Sequence, residues 1–150
     1  MFGWTNLLDI GLGGALGAAL SFAAQNKLLR GTELGGAIND VCRDIRGLEE
    51  VGSHYWRLPP EHEDVGDLAV LIRSASKRIG GRIKLLSEEY WIFDFDAWDA
   101  LTRFRQSITS GNFDVDGRAP EPLRVTGMQD RANELEAALR RGRRSILGLL

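Results

Sequence analysis

The stretch Gly11–Ala24, GLGGALGAALSFAA, carries no charge, and from Asp9 to Lys27 none interrupts it. Whether it spans a membrane or packs inside a water-exposed protein decides how the rest of the chain is organised. A helix from Phe2 to Ala24 would reach about 30–35 Å at 1.5 Å per residue, close to the thickness of a bilayer's hydrocarbon core. Its many Gly and Ala residues gain little on leaving water, so insertion would be marginal compared with a Leu-rich segment. The pattern says more than the mean. Gly13, Gly17 and Ser21 recur at i, i+4, i+8 and form a small-residue stripe, with Leu12, Leu16 and Leu20 as a bulky stripe beside it. In a bilayer such a stripe lets two helices approach closely, either as a self-associating pair or against a partner membrane protein. In water, each glycine costs roughly 1 kcal/mol relative to alanine, which only tight packing would offset.

The flanks favour the membrane reading. Lys27 and Arg30 follow the run directly, and by the positive-inside tendency they place the C-terminal side in the cytoplasm, with Trp4 as an aromatic anchor at the far headgroup level. No Lys or Arg precedes the run and the cleavage pattern around Phe22–Gln25 is poor, so it does not read as a cleaved signal. The expected organisation is a membrane-anchor helix with a basic flank over residues 1–30, then a cytoplasmic helical-bundle domain over 31–150, in a single-pass protein of the cell's inner membrane.

Beyond Gly31 the chain becomes charged and amphipathic. Thr32 reads as an N-cap, and Leu34, Ile38, Val41, Ile45 and Leu48 follow at spacings of four and three, a seam of bundle type. Leu58-Pro59-Pro60 ends that element. Leu68, Ile72, Ala75, Ile79, Ile83, Leu86 and Tyr90 mark one face of a long helix expected from Glu61 to Trp91, with Gly80-Gly81 as a bend or close-packing point. The aromatic cluster Trp91–Trp98 reads as a corner. Asp94 or Asp96 could cap the next helix, which places Trp98, Leu101, Phe104 and Ile108 on one side and stops at Ser110-Gly111. Residues 112–126 form the main loop, and a last helix is expected from Met128 to Leu147. The fold class is therefore all-α: an N-terminal hydrophobic helix followed by a bundle of about four helices.

Charge and motifs exclude more than they assign. A net charge of −2 over 150 residues argues against a surface built wholly for nucleic acid. The patch Arg73, Lys77, Arg78, Arg82 and Lys84 is balanced by acidic residues elsewhere. Arg140, Arg141, Arg143 and Arg144 are different, because an apolar end, Ile146 to Leu150, follows them at once. That join suits contact with anionic membrane lipid, where each Lys or Arg contributes about 1 kcal/mol. Asn112–Gly117 imitates the first half of a calcium loop. The position of the closing glutamate is Leu123, and Pro120 and Pro122 interrupt the geometry, so a polar turn is the expectation. Cys42 reads as a small buried hydrophobe, and neither His54 nor His62 has a third ligand at metal spacing. No catalytic motif, cofactor motif or small-molecule substrate signal is present. The expected role is a membrane-tethered interaction or assembly subunit without catalysis. The competing reading is a water-soluble helical oligomer or nucleic-acid-associated adaptor that buries the Gly/Ala helix between subunits.

Overall fold

The computed structural model describes the backbone of residues 5–90 and 95–149, and the side chains of residues 25, 29–90 and 96–144. The described residues form four helices: α1 (Thr5–Arg57), α2 (Val65–Glu89), α3 (Phe95–Thr109) and α4 (Arg124–Leu149). There is no strand among the described residues. α1 packs against α2 and α4, α3 packs against α4, and α2 and α3 touch sparingly.

The core follows the periodicity of the sequence. Leu34, Ile38, Val41, Ile45 and Leu48 are all buried, and opposite them lie Ile72, Ile79, Ile83 and Leu86 of α2 and Val125, Met128, Ala132, Leu135 and Leu139 of α4. An amphipathic helix gains little from propensity alone, so burying these stripes against one another is what holds the bundle. Cys42 lies within the same core, and burial pushes its thiol pKa up, which keeps it protonated and unreactive.

The main departure from expectation is α1. It runs unbroken for 53 residues, so no new helix starts at Thr32. Thr32 sits mid-helix with its hydroxyl donating to the carbonyl of Leu29 at 2.8 Å, the back-bonding typical of a helix interior. No left-handed cap lies there: the only described glycines with positive φ are Gly111 and Gly117, far along the chain. The first bundle helix and the Gly/Ala stretch are thus one element, and the helices among the described residues number four rather than five.

Smaller corrections concern ends and faces. α2 starts at Val65, not Glu61, because the preceding residues are spent on turns in which the His62 amide donates to Pro59 and the Val65 amide to His62. It ends at Glu89 rather than Trp91. α4 starts four residues earlier than expected, through amide bonds from Arg124 to Glu121 and from Val125 to Pro122. On α3, Ala97 and Ala100 join Leu101, Phe104 and Ile108 in the core, whereas Trp98 is 36% exposed. Small residues win those positions because α3 lies close against α4. Residues 91–94, at the centre of the aromatic corner, lie outside the described residues.

No helix among the described residues is long and apolar enough to cross a membrane, so the anchor expected over residues 1–30 is not found there. Trp4 lies outside the described residues, and the side chains of Gly13, Gly17, Ser21 and Lys27 lie outside those described.

Candidate functional site

The two ends of the bundle differ in how they use arginine. At the end where α1 continues beyond the core, the antiparallel register of α1 and α4 is fixed by three contacts. Arg46 donates to the side chain of Asn133 at 2.8 Å and pairs with Glu136, and the Arg143 guanidinium lies over Gly35, 2.8 Å from where a Cβ would stand. Only a glycine leaves room for that approach. By this register the last turn of α4 comes level with about residues 30–33 of α1. α2 ends about a turn short of that level, where Glu89 lines a cleft with Ala37; the Tyr90 hydroxyl pKa is raised by burial and by nearby Glu89 and Glu33.

All four arginines of the C-terminal run sit at this end, and they are not equivalent. Arg143 turns inward onto Gly35 and is half-buried, which distinguishes it from the surface-facing role expected of it. Arg140 is exposed and within 4.0 Å of Glu136. Arg141 and Arg144 are exposed and, like Arg30, have no ion pair among the described residues. Elsewhere most arginines are matched: Arg43 with Asp40, Arg73 with Asp114, Arg78 and Arg82 with Asp44, Arg103 with Asp99, and Arg131 with Glu134. The basic patch on α2 is therefore largely neutralised within the fold.

At the opposite end, arginines point inward and bind carbonyls. Trp56 is fully buried, and its indole N–H donates to the carbonyl of Ile108 at 2.9 Å. Arg118, 3% exposed, lies 4.2 Å from the Tyr55 ring centroid and 5.2 Å from that of Trp56, and donates to the carbonyl of Tyr55 at 2.6 Å. Arg124 stacks 4.1 Å from the Trp56 centroid and donates through Nε to Ser107 and through Nη2 to Ser110, both at 2.7 Å. These carbonyls lie in the last turns of α1 and α3 or, for Ser110, just past the end, and a cation suits the negative end of a helix dipole. Sequence reasoning missed this cluster. Its only local signal was aromatic Tyr55-Trp56 just before Pro59-Pro60, with Arg118 and Arg124 in a loop that looked merely polar.

The calcium-like loop belongs to this end and is used structurally. Asp114, at φ 59°, pairs with Arg73, and its amide donates to the Tyr55 hydroxyl at 2.9 Å; Gly117 turns the chain at φ 71°. No group of three or more His, Cys, Asp or Glu that could hold a metal occurs among the described residues. His62 stands 3.5 Å from Asp64, and His54 is exposed. A polar cleft of about 360 Å³ opens between the two loops beside Pro60, His62, Asp116 and Arg118. A second, of about 230 Å³, lies between α1 and α2 beside Ala37, Val41, Leu85 and Leu86. Neither gathers a nucleophile and base in bonding reach.

Comparison with protein-family models, curated proteins and solved structures gives no match for this chain.

Proposed function

We propose that the protein is a membrane-tethered helical assembly subunit that works by binding and not by catalysis. The observation that supports this most is the continuity of α1 from Thr5 to Arg57, while α2 ends about a turn short of residues 30–33 and α4 ends beside them. By helix rise alone, roughly 25 residues of α1, about 37 Å of helix, precede that level. The sequence there is uncharged from Ile10 to Asn26. An uncharged helix of that length is costly in water unless a bilayer or a second helix covers it.

In this reading Gly13, Gly17 and Ser21 dock the tether on a second copy or on a partner membrane protein, and Trp4, Lys27 and Arg30 set its depth. The bundle stands on the cytoplasmic side of the inner membrane, with membrane lipid as its other partner. Extraction of cell membranes with alkaline carbonate tests the reading. Retention of the full chain in the pellet is expected; release to the supernatant would overturn the tether and favour the soluble oligomer or nucleic-acid-associated adaptor. Gly13→Leu with Gly17→Leu should keep the chain in the pellet but reduce its crosslinked oligomers, because added bulk separates the helices.

A further inference from the structure

We propose that the polar cleft between the α1–α2 and α3–α4 loops binds a free α-amino acid with an apolar side chain, its carboxylate on Arg118 and Tyr55 and its ammonium beside Asp116 and Glu61. This site is independent of the membrane tether. Its floor is made of side chains withdrawn from water: Tyr55 is 0% exposed and Arg118 3%, and both line the cleft. Arg118 uses only Nη2 within the protein, donating to the carbonyls of Tyr55 and Leu58. Its Nε and Nη1 are buried and have no hydrogen-bond partner among the described residues. The Tyr55 hydroxyl accepts from the Asp114 amide, and its own proton has no acceptor among the described residues. Buried donors that bond neither protein nor water are costly, and an acceptor entering the cleft removes that cost.

α2 begins at this cleft and adds to the donor set. Asp64 at its N-cap makes no side-chain bond, the amides of Gly66 and Asp67 have no partner among the described residues, and Gly66 itself lines the cleft. The positive end of a helix dipole and a planar guanidinium both favour a carboxylate. The rim argues against a bare anion. Glu61 and Asp116 line the cleft, are exposed and have no ion pair among the described residues, whereas Asp114 is held by Arg73. Two free carboxylates repel a phosphate dianion and attract an ammonium, so a ligand carrying both signs a few bonds apart satisfies floor and rim together. Val65, Val115 and Pro60 supply apolar wall for its side chain, and the volume of about 360 Å³ lies in the range of small-molecule sites.

Calorimetric titration of the full chain, in neutral detergent, with L-valine, L-leucine, L-methionine and L-phenylalanine provides the test. Saturable binding of at least one is expected. For the tightest of them, the carboxamide, which lacks the carboxylate, and the N-acetyl derivative, which lacks the ammonium, should each bind about tenfold more weakly or worse. Asp116→Asn combined with Glu61→Gln should weaken the amino acid about tenfold without weakening its N-acetyl derivative, because only the former loses an ionic partner. Glu63→Gln removes an exposed carboxylate of the same loop that does not line the cleft, and should change nothing. Arg118→Lys should abolish binding. Since Arg118 also fastens the end of α1, its melting is recorded alongside, and the ligand analogues and exposed rim variants decide the matter if that variant unfolds. No saturation by any of the four amino acids below about 10 mM, equal binding of the carboxamide or the N-acetyl derivative, equal losses from Glu63→Gln and the rim pair, or tighter binding of inorganic phosphate would each overturn the site.

Discussion

Arg118 and Arg144 are the same residue type at opposite ends of one bundle, and they do opposite things. Arg118 is 3% exposed, stacked on Tyr55 and bonded to the last carbonyls of α1. Arg144 is exposed and has no ion pair among the described residues. The difference lies in what each end supplies. Where α1 and α3 finish, free carbonyls and two large rings receive a buried guanidinium that packs on the rings and bonds through Nη2, while its Nε and Nη1 have no hydrogen-bond partner among the described residues. Where α1 continues, its carbonyls are already used inside the helix; Arg143 turns inward onto Gly35, while Arg144 stays exposed. At the end where α1 and α3 stop the arginines are structural, and at the other end Arg141 and Arg144 stay exposed.

The largest test of that comparison is Trp56→Ala. Removing a fully buried indole that bonds Ile108 and carries two stacked arginines should cost about 3–5 kcal/mol, lowering Tm by roughly 10 °C or more in a chain of this size. A loss below about 1 kcal/mol in denaturant unfolding would mean that the loop end is not what fastens α1 to α3. Next comes the matched pair Arg118→Gln and Arg144→Gln. The first strands the carbonyls of Tyr55 and Leu58 and should cost about 2–3 kcal/mol, while the second, at an exposed site, should fall within about 0.5 kcal/mol of the native protein. Similar melting temperatures for the two variants would erase the contrast between the ends.

The smallest effect sharpens the boundary between them. Gly35→Ala places a Cβ against the Arg143 guanidinium, the far end of a flexible arm that can swing into water, and it also removes a glycine from a helix interior. The propensity gain of up to about 1 kcal/mol should exceed the lost contact, so thermal melting should show a slight rise. A fall of more than about 1 kcal/mol would move Arg143 into the structural class, beside Arg118. Gly81→Ala, with open space at its Cβ, gives the propensity gain alone and calibrates the measurement.

Much of the helical layout was legible from spacing. The seam Leu34–Leu48, the stop at Pro59-Pro60 and the positive-φ Gly111 behind α3 follow from local rules: a helix shows the same face every three or four residues, proline cannot continue it, and glycine turns it at no steric cost. The candidate site was legible only in part. The run Arg140–Arg144 announced a basic end, yet its division into inward Arg143 and outward Arg141 and Arg144 depended on Gly35, which lies in another helix.

What the sequence determined by itself, then, is where helices run and which faces are apolar, because those are set by neighbours within one or two turns. What only the tertiary structure decided is the fate of polar groups whose partners are distant in the chain. Trp56 bonds a carbonyl 52 residues away, and Arg118 one 63 residues away. No periodicity encodes such pairings, since they arise when two helix ends with unpaired carbonyls are brought together. The unbroken passage of α1 through Gly31 and Thr32 belongs with them. Locally those residues resemble a boundary, yet the helix passes through them and the Thr32 hydroxyl bonds back to the carbonyl of Leu29.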